Sequence, residues 1–170
     1  MRMKSQNEKR LLLGLPPLAC ADSKVLILGS MPGKQSLENQ RYYDYPYNRF
    51  WKIIFRLAEE EYSADYEVKK RMLEKCRIAL WDAIDSCERE NSSLDSKIKN
   101  AKANNIESFL NDYPSIKYVV TNGRTSEKYL TKYNPNVKHI YLPSTSPANA
   151  SVKNVDEIWL KTLKELLNDF

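Results

Sequence analysis

Four short segments in this 170-residue chain, three of them rich in small and polar residues, have the chemistry of a ligand-binding rim. They read Gly29-Ser30-Met31-Pro32-Gly33, then Asp82, then Asn122-Gly123, then Pro143-Ser144-Thr145-Ser146-Pro147. Beside them in sequence lies an aromatic group, Tyr42, Tyr43, Tyr45, Tyr47, Phe50 and Trp51, gathered around Asn48. Its Tyr42–Tyr47 part is spaced as a loop, and loops bearing several aromatic rings suit flat ligands. Backbone amides, hydroxyls and carboxamides next to such rings fit an uncharged planar ligand with hydrogen-bonding edges. A nucleobase has that chemistry. Each residue also admits a plainer role: Asn48 a helix N-cap, Asn122 an Asn-Gly turn, Asp82 a cap or structural acceptor, Trp51 an anchor between helix and sheet.

Other chemistries fail on spacing. A phosphate loop needs four residues between its glycines and Ser or Thr directly after Lys. Here three residues separate Gly29 from Gly33, and Gln35 follows Lys34. The dinucleotide pattern GxGxxG is absent. His139, the single histidine, opens an apolar run instead of closing one, the wrong end for a Ser–His–acid triad, and reads as a surface imidazole. Cys20, Cys76 and Cys87 show no CxxC pairing and no histidine cluster, so they read as idle or buried thiols. No metal and no other cofactor is expected.

The elements that would position these residues can be read from periodicity. Val25–Leu28, Ile78–Trp81, Tyr118–Thr121 and Ile140–Leu142 are continuous apolar runs, the pattern of strands covered on both faces. Between them lie helical stripes: Phe50, Ile54, Leu57 and Ala58; Val68, Met72 and Cys76; Ile106, Phe109 and Leu110, stopped by Pro114. A further helix is expected over Arg124–Tyr133. Asp156 is expected to cap a last one striped by Trp159, Leu163, Leu166 and Phe170. Alternating strands and helices predict an α/β fold, a three-layer α/β/α sandwich around a four-stranded parallel sheet. Ligands bind such sheets outside the carboxyl ends of the strands, where these four segments fall.

One domain over residues 1–170 is expected, with 1–14 a flexible or helical extension. The composition, 42% hydrophobic and 29% charged, is that of a globular protein. Basic residues up to Arg10 precede Leu11–Leu13, but that run is short and Gly14, Pro16 and Pro17 interrupt it, so neither a secretion signal nor a membrane span is expected. A cytoplasmic monomer is the expectation. Net charge is +5, and residues 101–153 carry seven Lys or Arg against three acids. That stretch suits phosphates, and solvated lysines explain it nearly as well.

Taken together, Val25–Gly33, Tyr42-Tyr43 with Pro46-x-Asn48-x-Phe50-Trp51, Leu80-Trp81-Asp82, Thr121-Asn122-Gly123 and Leu142–Asn149 resemble the hypoxanthine-DNA glycosylase branch of the uracil-DNA glycosylase superfamily. The resemblance runs from Leu15 to the C-terminal helix. It implies a DNA enzyme that flips out and hydrolytically removes deaminated bases (hypoxanthine, with uracil or xanthine as further candidates) for base excision repair, on damaged DNA as its partner. It implies catalytic roles for Asn48 and Asn122 and a base pocket of Gly29, Ser30, Met31, Tyr43, Phe50 and Asp82. DNA-backbone contacts fall to Pro143, Ser144, Thr145 and Ser146. Tyr45 and Tyr47 depart from the family's His and Arg. Met31 stands where uracil-removing members carry Asp or Asn, and Leu142 where they carry His. In this reading Asn48 positions water or bonds the leaving base, Asn122 and the Ser30 region read its edge, and Tyr43 or Phe50 stacks on its face. A non-catalytic nucleotide-binding or nucleic-acid-binding module, or a nucleosidase acting on free nucleosides, remains the alternative.

Overall fold

A computed structural model describes residues 11–149 and 151–168. In chain order the elements are β1 (Leu11–Leu13), β2 (Val25–Gly29), α1 (Lys34–Asn39), α2 (Phe50–Leu57), α3 (Tyr66–Cys76), β3 (Ile78–Asp82), β4 (Ile84–Glu88), β5 (Lys99–Ala103), α4 (Ile106–Asp112), β6 (Tyr118–Asn122), α5 (Arg124–Tyr133), β7 (Ile140–Leu142) and α6 (Val155–Leu167). The four expected strands form one parallel sheet in the order β3-β2-β6-β7. Val25 and Ile27 pack on one side with α2, α3 and α6, and Leu26 and Leu28 on the other with α4 and α5. Every residue of β2 is therefore buried, which is why its sequence shows no alternation. The result is the expected α/β/α sandwich.

A second, three-stranded antiparallel sheet, β1-β4-β5, was not anticipated. Leu11–Leu13 pairs with Ser86–Glu88, so the end of the expected 1–14 extension is a strand and not a flexible or helical segment; residues 1–10 lie outside the described residues. The last-helix stripe is seen at Trp159 and Leu163, both fully buried, while Phe170 lies outside the described residues. The expected cap of that helix is also displaced. Asn154, in a left-handed conformation, holds the N-cap position, and Asp156 sits in the first turn.

This topology creates the cleft. The chain leaving β2 feeds the α2 side of the sheet, and the chain leaving β6 feeds α5 on the opposite side. Adjacent strands whose connections diverge in this way open a crevice at their carboxyl ends. Gly29 ends β2 and Asn122 ends β6.

Candidate active site

The crevice is a cavity of about 710 Å³. It is lined by Gly29, Ser30, Met31, Tyr43, Asn48, Asp82, Asn122 and the Ser144–Ser146 loop, which brings ten of the twelve expected site residues together. The other two lie behind it. Phe50 is fully buried, its ring stacked 4.1 Å under Tyr43, so a bound base can meet the Tyr43 ring but not that of Phe50. Pro143 is half-buried and offers its carbonyl to the Trp159 indole N–H at 2.8 Å.

Tyr43 owes its position to its backbone. It has φ +51°, a left-handed conformation that a non-glycine residue adopts at a cost of about 1–3 kcal/mol. Stacking on Phe50 and a hydrogen bond from Asn122 Nδ2 to its hydroxyl (3.2 Å) hold it there. Gly29 makes the room: a Cβ on it would come 2.5 Å from Asp82 Oδ1 and 3.2 Å from the Tyr43 hydroxyl. Asp82 is itself 4% exposed, and its Oδ2 has no hydrogen-bond partner among the described residues. Burial pushes its carboxyl up to about 7, with the charge of Asp95 adding to the effect. Burial, and next the charge of Asp82, also holds the Tyr43 hydroxyl protonated well above the usual phenol range.

Asn48 is not the expected N-cap of α2, a position that Arg49 holds without a side-chain cap bond; it sits one residue earlier and faces the cleft. Its Oδ1 accepts the Phe50 N–H (2.9 Å) and the Thr145 hydroxyl (2.8 Å), and its Nδ2 has no partner among the described residues. Asn122 accepts the Thr145 N–H on Oδ1 (3.0 Å) and donates from Nδ2 to the Thr145 hydroxyl (3.1 Å). Thr145 is fully buried, so its side chain points to the two asparagines and not to a DNA backbone. Ser144 and Ser146 remain half-exposed on the rim, tied to each other by the Ser146 N–H on Ser144 Oγ.

Sequence reasoning missed one wall. Ser93, Leu94, Asp95 and Ser96 also line the cleft, and Asp95 Oδ1 accepts the Ser30 hydroxyl at 2.7 Å. This segment has no apolar periodicity, so nothing in it signalled a site. Arg124 was detectable, since it follows Asn122-Gly123 directly; it lines the cleft with its guanidinium 3.7 Å from the Tyr141 ring centroid. His139 departs from the surface reading. It is half-buried, with Nε2 3.0 Å from Glu127 Oε2, and takes no part in the cleft. Among the described residues no group of three or more His, Cys, Asp or Glu side chains is arranged to hold a metal ion.

Known proteins share this chain's sequence pattern and fold. The sequence profile of the uracil DNA glycosylase superfamily matches residues 16–169. A Methanosarcina barkeri protein called hypoxanthine DNA glycosylase is 30% identical over 154 residues, 89% of this chain and 97% of that one. Its namesake in Methanosarcina acetivorans is 33% identical over 151 residues, 86% of this chain and 94% of the relative. The solution NMR structure of a candidate uracil DNA glycosylase from Methanosarcina acetivorans superposes with a TM-score of 0.78 at 31% identity, covering 92% of this chain and 99% of that one. The chain belongs to the uracil DNA glycosylase superfamily.

Proposed function

We propose that this chain is a monofunctional DNA glycosylase that takes a deaminated base, hypoxanthine foremost, out of the DNA stack and hydrolyses its N-glycosidic bond. Flipping costs a few kcal/mol and least for a mismatched base, which favours deaminated bases over paired ones. The C1′–N bond breaks with its electron pair passing to the base. Water then bonds to C1′ and yields its proton, leaving a neutral base and an abasic sugar. The difficulty is the negative charge gathering on the base. A preorganised neutral donor in a water-poor pocket relieves it by several kcal/mol. The observation that carries the reading is the Asn48 carboxamide: its oxygen is engaged by Phe50 and Thr145, which leaves its NH2 for the cleft. The names of the two Methanosarcina relatives support hypoxanthine as the first substrate to try. Tyr43 supplies the stacking face, and Ser144 and Ser146 the rim against the DNA backbone.

Substituting Asn48 tests this. Asn48→Ala is expected to slow single-turnover excision by about 10²-fold or more, the usual effect of deleting a transition-state donor. Loss of a cap alone costs only about 1 kcal/mol of stability. Asn48→Asp keeps an oxygen for Phe50 and is expected to fold normally, yet to excise poorly because a carboxylate repels the departing anion. A folded, DNA-binding Asn48→Ala protein with unimpaired excision would remove Asn48 from the chemistry.

A further inference from the structure

We infer that Asn122 and Thr145 are positioning residues acting in series, an Asn122–Thr145–Asn48 relay that sets which end of the Asn48 carboxamide faces the reacting base. The inference rests on the glycosylase reading and assigns Asn122 a task other than reading the base. Carboxamide orientation follows from the hydrogen-bond network, and here two backbone N–H groups anchor it. An N–H can only donate. The Thr145 N–H, 3.0 Å from Asn122, must therefore face that residue's oxygen. Likewise the Phe50 N–H, 2.9 Å from Asn48, must face an oxygen.

The rest follows by counting protons. With Asn122 Oδ1 fixed on the Thr145 amide, its Nδ2 faces two hydroxyls, Thr145 at 3.1 Å and Tyr43 at 3.2 Å. Both amide hydrogens are engaged, so none is left for a base. The Thr145 hydroxyl accepts from Asn122, so its single proton goes to Asn48 Oδ1 at 2.8 Å. Asn48 Oδ1 then holds two donors, its ordinary capacity, and cannot also orient a water. Its NH2 alone is offered to the cleft. The Thr145 carbonyl adds a further tie by accepting the Arg49 N–H at 3.1 Å, which locks the loop carrying Asn48 to the loop carrying Thr145. Thr145 is fully buried, and among the described residues its hydroxyl bonds only Asn122 and Asn48, so the effect on excision of deleting that hydroxyl passes through these two residues.

Thr145→Val keeps the shape and deletes the hydroxyl. Thr145→Ser keeps the hydroxyl. Asn122→Asp is a second route: it still accepts the Thr145 N–H, but it draws the Thr145 proton to its carboxylate and away from Asn48. In 15N–1H spectra the Asn48 side-chain NH2 pair is identified by its loss in Asn48→Ala. Expected is a clear shift of that pair in Thr145→Val and Asn122→Asp, and its retention in Thr145→Ser. Single-turnover excision of hypoxanthine falls on the order of 10²-fold in the first two, the effect of a misplaced catalytic group. DNA affinity stays near wild type, and Thr145→Ser restores most of the rate. Adding Thr145→Val to Asn48→Ala lowers the rate no further, because the residues act as one unit. The relay is overturned if the Asn48 signals stay put in both Thr145→Val and Asn122→Asp, or if Thr145→Ser is as impaired as Thr145→Val. The spectra decide this even if the wild-type protein releases no base, which would defeat the glycosylase reading instead.

Discussion

At the scale of single residues, Asp82 links stability to pH. Its carboxyl is buried beneath the cleft, and burial raises it from its ordinary 3.8 to about 7. A raised pKa means that the folded protein favours the protonated acid. The contribution is fully present below about pH 4 and is lost as pH rises through 7. Asp82→Asn, neutral throughout, is therefore expected to flatten the fall in Tm between pH 5 and 8 and to gain a few kcal/mol at most at the alkaline end. An Asp82→Asn protein whose Tm tracks the wild-type pH dependence would contradict this. The same scale shows what sequence leaves hidden. Thr145 reads as a rim residue because it sits in Pro143–Pro147 among small polar neighbours, yet its hydroxyl turns inward to Asn48 and Asn122. Phe50 reads as a stacking ring, yet Tyr43 covers it. A side chain's direction depends on the partners that other loops bring to it.

At the scale of elements, Gly123 joins β6 to α5 with φ +93°, and a Cβ there would meet the Ser144 Cβ at 3.1 Å. Gly123→Ala is expected to cost about 1–3 kcal/mol through backbone strain and to push the Ser144–Ser146 loop outward; a Tm within error of wild type would show that the turn is not strained. The parallel strands were legible because their apolar runs are written directly in residue type, most plainly in β2, which is buried throughout. The second sheet was not. β5 carries Lys99, Asn100 and Lys102 on exposed positions, and its pairing with β4 is interrupted by register shifts. Such charged strands protect a sheet edge and show no apolar pattern. On α3 the expected Val68–Met72–Cys76 stripe is half-buried, with Met72 and Cys76 packed against the core, while Lys69 and Leu73 beside it are the more deeply buried residues. The Lys69 ammonium lies 5.7 Å from the ring centroids of both Trp51 and Tyr62, so a charged residue occupies a buried position through its stem and cation–π contacts.

At the scale of the whole molecule, the basic stretch of residues 101–153 does not form one patch at the cleft. Arg124 lines it, whereas Lys117 and Lys138 precede β6 and β7 and so lie toward the other end of the sheet. Charge alone therefore favours DNA less than the cleft does. No helix among the described residues is long and apolar enough to cross a membrane. The cleft joins an aromatic face, a neutral amide donor and a hydroxyl-bearing rim at the diverging ends of β2 and β6, an arrangement fitted to a base still attached to its strand. The measurement that tests this most directly is base release from duplex oligonucleotides carrying hypoxanthine, uracil or xanthine. The assay is run in EDTA with free inosine alongside, and abasic sites are read by alkaline cleavage. The account predicts release of hypoxanthine from the duplex in EDTA and none from free inosine. Hydrolysis of free inosine with every duplex left intact, or tight duplex binding without release of any of the three bases, would contradict it.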